Sequence, residues 1–324
     1  MTVHTAPVPP ATAVLTRPDP PTGRPGKPGG GRSHRVREAL LGLLLLTPGL
    51  VGLGVFVVFP LFQAVYLSTR DNDILGNPTR SVGLAHFAEL LTPEFGALLA
   101  RTFLFTALVV VPGVLLPLAI AAPLTQKLPG MRIFRTAFAL PFAYSASAAS
   151  VVWLIMLNPG TSPVNWLLGL VGVQAPSWTS DPGWALVTVA AVTVWSVSGF
   201  NLLVLAAGLA QVDEDVLEAA RIDGATGPRQ FVSIVLPMIS PSLFFAVVTT
   251  TLTALQALGQ VHIMTDGGPN GSTSTLVYSI FDRAFHNNNS DYGLASAQGL
   301  VLLVVGVLLA AVQFGVLERR VHYR

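Results

Sequence analysis

Six long stretches of apolar residues without a charged side chain dominate this sequence. A helix needs about 20 such residues to cross the hydrocarbon core of a bilayer, which is about 30 Å thick. Each charge at the centre of a spanning helix would cost about 2.5–3.5 kcal/mol on insertion scales, so these stretches predict membrane spans. The predicted spans lie at residues 40–66, 102–126, 136–157, 184–209, 241–264 and 293–317.

The composition agrees with a membrane protein. Charged residues make up 10% of the chain, against roughly 25% in an ordinary soluble domain. So few charges could not cover the surface of a water-soluble protein of 324 residues. We therefore predict an all-α, polytopic membrane helix bundle with six transmembrane helices. The sequence has no cysteine, which excludes disulfides and thiolate metal sites.

The distribution of Lys and Arg predicts the orientation. Fourteen of the 18 Lys and Arg residues lie before the first span, between spans two and three, between spans four and five, or after span six. The other four lie between spans one and two or between spans five and six, on the opposite side of the membrane. Because cytoplasmic segments carry the excess of Lys and Arg, this bias places both termini in the cytoplasm.

The first 37 residues differ from the rest of the chain. Residues 1–30 hold eight prolines and no apolar run, and such a segment cannot bury enough surface to offset its ordering entropy. We predict a disordered basic cytoplasmic tail at 1–37 and a membrane domain at 38–324. The first apolar run is too long for the hydrophobic region of a cleaved signal peptide, which favours a signal-anchor helix.

The segment between spans four and five, residues 210–240, is charged and patterned as two short helices. Asp215 and Glu218 are spaced as a capping box. Gly224 suits the left-handed position after a helix, and Pro228 suits the first turn of the next one.

The spacing within residues 210–240 resembles that of a known family. Glu218-Ala219-Ala220, three residues, Gly224, nine residues and then Ile234-x-Leu236-Pro237 resemble the EAA loop of the permease subunits of binding-protein-dependent ABC importers. Asp223 extends the likeness to the carbohydrate branch, of the maltose-subunit-F and glycerol-phosphate-permease-A type. The resemblance covers roughly residues 35–320, because fragments of two external loops agree with it, at 82–87 and 265–269.

The resemblance implies a set of partners and a function for residues 210–240, which we call the coupling loop. In that family the loop docks into a cleft on an ATP-hydrolysing subunit, where Glu218 would pair with an arginine. The alternative for Glu218 is that it only closes its own capping box. ATP and Mg²⁺ would be used by the partner, since this chain has no phosphate-binding Gly-x4-Gly-Lys-Ser/Thr loop and is not itself an enzyme.

The implied partners are a second permease subunit, a pair of ABC ATPase subunits, an extracytoplasmic solute-binding lipoprotein and the lipid bilayer, with no nucleic acid. The implied location is the bacterial plasma membrane. The implied function is translocation of a sugar or related polar solute by alternating access. The chain binds no cofactor on this interpretation, and no catalytic or metal-binding residue is predicted.

Polar side chains within the spans are candidates for the solute pathway, because such residues usually face a bundle interior. The candidates are Asn201 and Trp195 in the fourth span, and Thr253 and Gln256 in the fifth. For the three polar residues the alternative is hydrogen bonding between helices. For Trp195 it is packing against another helix.

Two other classes of protein compete with this interpretation. A secondary transporter would need ionisable groups near the middle of the membrane, and the predicted spans contain no Asp, Glu, Lys or Arg, while His262 lies near the outer end of the fifth. A membrane-embedded enzyme would need a Ser, His or Asp constellation, or a metal motif such as His-Glu-x-x-His. Neither is found within the spans.

Overall fold

A computed structural model describes residues 32–73, 76–122, 138, 144–286 and 290–317. The predicted tail therefore lies outside the described residues up to position 31. The helices in chain order are α1 (Arg32–Leu53), α2 (Phe59–Leu67), α3 (Ala85–Glu89), α4 (Pro93–Ala121), α5 (Ala146–Met156), α6 (Pro163–Leu170), α7 (Pro182–Leu209), α8 (Glu214–Ile222), α9 (Gly227–Gln230), α10 (Leu236–Met238), α11 (Ser240–Leu255), α12 (Leu258–Met264), α13 (Leu276–Phe281) and α14 (Tyr292–Leu317). The strands are β1 (Arg70–Asn72) and β2 (Pro78–Ser81), and π-helical turns occupy Gly54–Val58, Phe231–Val235 and Asp282–His286.

Several of these helices are long and apolar enough to cross a membrane, which confirms the prediction of a polytopic helix bundle. Four single helices qualify among the described residues, at Leu40–Leu67, Pro93–Ala121, Pro182–Leu209 and Tyr292–Gly315. A fifth candidate is the bent pair Gly227–Met238 and Ser240–Leu255. Of the predicted third span, 136–157, the structure describes residues 138 and 144–157, which include the apolar helix α5.

Two helices begin earlier than the sequence predicted. α1 starts at Arg32, inside the predicted tail. α4 starts at Pro93 rather than at 102, because the Thr92 hydroxyl accepts a hydrogen bond from the Phe95 N–H and Pro93 suits a first turn. Arg101 thus interrupts the charge-free run without ending the helix.

Two of the π-helical turns have a common cause in a following proline. Pro60 and Pro237 each come two residues after such a turn. In both turns the residue before the proline donates its N–H to the carbonyl five residues back, as Leu236 does to Phe231. Because proline has no N–H for the usual bond four residues back, the wider turn keeps the helix continuous.

The described chain divides after Phe59 into two compact units. The first contains α1 and its π-helical turn. In the second, α4 packs along α7, and α11 packs against both. The side chains between these three helices form two buried clusters, one toward the coupling loop and one toward α12 and α13.

The predicted fifth span, 241–264, is not one helix. α11 ends at Leu255 and α12 begins at Leu258, with Gln256 and Ala257 between them. Ala257 has φ −74° and ψ 64°, and the Leu258 N–H donates to the Gln256 carbonyl at 2.8 Å. These values describe an inverse γ-turn. The prediction of an unbroken span was therefore wrong, because an apolar composition does not reveal a turn.

The hairpin of β1 and β2 is antiparallel, with Arg70 opposite Ser81. It lies against the start of α14 at Gly293. A Cβ atom added to Gly293 would lie 2.5 Å from the Arg70 carbonyl oxygen and 2.6 Å from His86 Nε2. His86 Nε2 is itself 3.1 Å from that carbonyl. Gly293 thus permits the close approach of hairpin and helix.

We predict that Gly293→Ala destabilises the protein by about 1–3 kcal/mol, the usual cost of overpacking. The expected measurement is a lower midpoint of thermal unfolding in detergent. Gly299→Ala is the matched control on the same helix, since a Cβ there meets nothing within 4 Å. Equal midpoints for the two variants would contradict the close packing at Gly293.

Candidate functional site

The first helix of the coupling loop, α8, begins at a different cap from the predicted one. The Asp213 carboxylate accepts a hydrogen bond from the Asp215 N–H at 3.0 Å, so Asp213 is the N-cap. Glu218 therefore lies five residues beyond the cap, too far along the helix to close a capping box. The capping-box assignment of Asp215 and Glu218 was wrong.

The end of α8 has the predicted glycine cap. Gly224 has φ +81°, in the left-handed region. The Ala225 N–H donates to the Ala220 carbonyl at 2.9 Å, and the Gly224 N–H donates to the Arg221 carbonyl at 3.1 Å. This pair of bonds is a Schellman motif, which reverses the chain with its carbonyls satisfied.

The return segment is one continuous helical stretch from Gly227 to Met238, formed by α9, the π-helical turn and α10. The Gln230 side-chain amide donates to the Leu217 carbonyl of α8 at 2.7 Å. The stretch then meets α11 at a bend of 73°. The coupling loop is therefore a tied pair of helices set at an angle to the bundle.

α8 has one exposed side. Glu218, Ala219 and Asp223 are exposed, and 86% of the Ile222 surface is accessible to solvent. Residues at these spacings are neighbours on a helix. Within the part of the chain that the structure describes, the Glu218 carboxylate makes no hydrogen bond or ion pair. Sequence reasoning missed Ile222, although a large apolar residue beside Asp223 was a signal for it.

The opposite side of the coupling loop is buried against the bundle. Ala220 is buried, and Leu217 is half-buried beside it. Phe231 and Leu236 from the return segment, like Leu217, pack against the buried cluster that lies toward the coupling loop. The cluster's buried members come from α4, α7 and α11 as well as the return segment: Val114, Leu118, Ala121, Leu202, Leu205, Leu209, Val235, Ile239 and Ala246. The loop is thus joined to three long helices by continuous apolar packing.

Ile234 and Pro237, the remaining residues of the predicted motif, are half-buried and line a cavity of about 560 Å³. The cavity is also lined by Gly208 at the end of α7, by Gln211 just after that helix, and by Ser242 at the start of α11. The predicted coupling residues are therefore brought into one structure. Its outer side carries Glu218 and Ala219, and its inner side carries Ala220, Ile234 and Leu236.

The four solute-pathway candidates do not share one surface. Asn201 is fully buried, with its amide bonded to two other helices. Trp195 is half-buried, stands edge-on to Trp153 with ring centroids 5.7 Å apart, and lines an apolar groove. The contacts of Asn201 are the hydrogen bonds between helices given as its alternative, and the contact of Trp195 with Trp153 is the packing given as its own.

Thr253 and Gln256 are both exposed. The Thr253 hydroxyl donates to the Thr249 carbonyl at 2.9 Å, and the Gln256 side chain makes no hydrogen bond to the described residues. Gln256 stands at the γ-turn that separates α11 from α12. Irregular backbone at membrane depth is tolerated where it is buried in protein or lines a water-filled cavity.

A polar cluster follows α12. The Tyr278 hydroxyl donates to the Asp266 carbonyl at 2.8 Å, and His262 Nδ1 lies 2.8 Å from Asp266 Oδ1. Burial, with the neighbouring Asp266 carboxylate, raises the pKa of Tyr278 well above its usual range. The described residues contain no group of three His, Asp or Glu side chains placed to hold a metal ion.

Comparison with known proteins gives a consistent result. The family model "Binding-protein-dependent transport system inner membrane component" matches residues 113–323. The sn-glycerol-3-phosphate transport system permease protein UgpA of Agrobacterium fabrum is 34% identical over 288 residues, which are 88% of this chain and 97% of that protein. The protein of the same name from Brucella suis is 34% identical over 287 residues, with the same coverage.

Solved structures share the fold. A chain of a bacterial alginate ABC transporter, in complex with an alginate pentasaccharide-bound periplasmic protein, superposes with a TM-score of 0.77. It is 19% identical, and the match covers 88% of this chain and 96% of that one. A second structure of a bacterial ABC transporter, involved in alginate import, gives a TM-score of 0.74 at 20% identity.

Proposed function

Since this chain belongs to the family of binding-protein-dependent transport system inner membrane components, we propose that its coupling loop receives the force of ATP hydrolysis from a separate subunit. The chain is a membrane-spanning permease subunit of an ABC importer in the bacterial inner membrane. It is a transport component rather than an enzyme. One observation carries the proposal: α8 is exposed on one side and packed into the bundle on the other.

The exposed side of α8 is suited to a cleft on an ATPase subunit. The Glu218 carboxylate is accessible for a charge-assisted hydrogen bond to an arginine of that subunit, the strong kind of polar contact. Ala219 lets another surface approach closely, and Ile222 offers an apolar side chain for a pocket. ATP and Mg²⁺ are used in that partner and not by this chain.

The buried side of the loop explains how movement would reach the bundle. Leu217, Phe231 and Leu236 pack against the buried cluster that includes side chains of α4, α7 and α11. Protein interiors are close-packed, so displacement of the loop displaces these helices with it rather than compressing the contact. The result is alternating access, driven from outside the chain.

The proposed topology has six spans with both termini in the cytoplasm. The third span runs through 136–157, and the fifth consists of α11 and α12. Lys and Arg are in excess in the coupling loop and the other segments that this topology places in the cytoplasm, which supports the orientation. The division into a tail at 1–37 and a permease domain at 38–324 belongs to the same proposal.

The proposed solute is a sugar or a related polar molecule such as sn-glycerol 3-phosphate. The names of relatives at 34% identity support this class. Thr253 and Gln256 are the proposed pathway residues, because both are exposed beside the γ-turn in the fifth span. The proposed partners are a second permease subunit, a pair of ABC ATPase subunits and a solute-binding lipoprotein.

We predict that Glu218→Ala abolishes the association of the ATPase subunit with this chain while leaving membrane insertion intact. The measurement is the amount of ATPase that co-purifies with the tagged chain. Asp215→Asn is the matched control, an exposed acidic residue on the same helix that is expected to keep full association. Normal co-purification and uptake with Glu218→Ala would refute the docking role.

Gly224 supplies a second prediction about the loop. A side chain at φ +81° costs about 1–2 kcal/mol for the left-handed conformation, so Gly224→Val should reduce uptake by disturbing the turn. Gly227→Val is the control, since it has no positive φ and a Cβ there meets nothing within 4 Å. Similar uptake by the two variants would show that the turn geometry is not needed.

The topology is testable because the chain has no cysteine and so no labelling background. We predict that Ile222→Cys, in the subunit expressed without the ATPase that would cover it, reacts with an impermeant maleimide only from the cytoplasmic side. Arg80→Cys in the β-hairpin should react only from outside. Labelling of Ile222→Cys from outside intact cells would overturn the orientation and the docking role together.

We predict that Gln256→Ala raises the KM for uptake of sn-glycerol 3-phosphate about tenfold, the effect of removing one solute hydrogen bond. Gln313→Ala is the control, because that side chain is engaged with Thr251 of α11 at 2.8 Å. Its expected effect is on thermal stability alone. An unchanged KM for Gln256→Ala would remove this residue from the proposed pathway.

A further inference from the structure

The carbonyl of Gly113, in the middle of α4, lacks its usual partner. In an α-helix this oxygen would accept the N–H of the residue four positions later, which here is Pro117. Proline has no N–H, so the bond cannot form. In the hydrocarbon region no water can replace it, and an unsatisfied backbone group costs several kcal/mol.

Asn201 of α7 supplies the missing donor. Its Nδ2 donates to the Gly113 carbonyl at 2.7 Å and to Thr250 Oγ1 of α11 at 2.8 Å. Asn201 is completely buried. A Cβ at Gly113 would lie 3.1 Å from a Val197 methyl, so the glycine allows α4 and α7 to approach closely. A single amide thus joins the three helices that carry the core.

This junction lies between the two buried clusters. Val114, Leu202 and Ala246 belong to the cluster that packs on the coupling loop. Val109, Val194 and Ala254, on the same three helices, belong to the other cluster. Any displacement that enters through the coupling loop must pass the level of Asn201 before it reaches the γ-turn at Gln256.

We propose that Asn201 is a positioning residue for transport, which holds α4, α7 and α11 together while the coupling loop moves them. Its amide takes the place of the N–H that Pro117 lacks. The proposal rests on the proposed role of the coupling loop and adds the residue that keeps the driven helices in register. It assigns Asn201 no contact with the solute.

The polarity of the interaction is specific. The Asn201 amide nitrogen makes both bonds, while its Oδ1 has no partner among the described residues. Asn201→Leu keeps the branched shape of the side chain but removes both N–H groups. Because Gly113 offers only an acceptor, we expect Asn201→Leu to behave like Asn201→Ala and not like the native chain.

The hydrogen bond is tested by a double-mutant cycle in the assembled transporter. Asn201→Ala should lower the midpoint of thermal unfolding by several degrees, since it leaves the buried carbonyl unsatisfied. In a Pro117→Ala background the loss should be much smaller, because residue 117 then donates to Gly113 itself. Pro112→Ala is the control on the same helix. Its new N–H faces the carbonyl of Leu108, four residues earlier, and leaves the Gly113 carbonyl unchanged. If Asn201→Ala lowered the midpoint equally in the native chain, in Pro117→Ala and in Pro112→Ala, the assignment would be overturned.

The positioning role is tested by spin labels at Leu116→Cys on α4 and Leu203→Cys on α7, both exposed positions. In the Pro117→Ala parent we expect one narrow distance distribution, without nucleotide and after trapping with ADP and vanadate. Adding Asn201→Ala should broaden the trapped distribution although stability is largely recovered. An unchanged distribution would show that Asn201 only satisfies a carbonyl.

A second variant keeps the test decisive. Thr250→Val removes the link to α11 but leaves the Gly113 carbonyl satisfied, so labels on α7 and α11, at Leu203→Cys and Phe245→Cys, should show the same broadening after trapping. Co-purification of the ATPase subunit should be normal in every Asn201 and Thr250 variant. That measurement separates failure of this proposal from failure of docking, which Glu218→Ala reports.

Discussion

The structure depends on one constraint, that every backbone N–H and carbonyl inside the hydrocarbon layer needs a partner from the protein. Two prolines of its spans meet the constraint in different ways. Before Pro60 the helix widens into a π-helical turn, while at Pro117 a side chain of another helix, Asn201, donates to the free carbonyl. The first solution is local to one helix. The second also fixes the position of α7 relative to α4 and α11.

The coupling loop shows how a polar element can be built onto an apolar bundle. Its outer side keeps Glu218 and Ala219 in water, while Leu217 and Phe231 extend the buried cluster of the bundle. The turn between its helices is closed by backbone hydrogen bonds around Gly224, and the Gln230 side chain ties the two helices together. The loop therefore has its own defined shape and a firm base, both of which a docking element requires.

The sequence predicted the features that depend on composition and spacing. The uniform apolar runs located the helices Pro182–Leu209 and Tyr292–Leu317 to within two residues, and Gly224 marked the end of α8 because few other residues adopt that backbone conformation. It failed where the decisive contact comes from elsewhere. The residues around Gln256 and Ala257 carry no pattern that predicts a γ-turn. Arg101 ended the charge-free run, so the predicted start of α4 was too late. The role of Asn201 required knowing that Gly113, 88 positions earlier, lies beside it.

The exposure of Ile222 has a consequence for how this subunit exists in the cell. The Ile222 side chain has 86% of its surface in water. Covering that apolar surface with another protein lowers the free energy. On the proposed docking, the ATPase binds the folded subunit and so stabilises it in proportion to its own concentration. A copy made in excess of its partners is then the less stable population, open at this helix to proteolysis, and the abundance of the subunit follows that of the complete assembly.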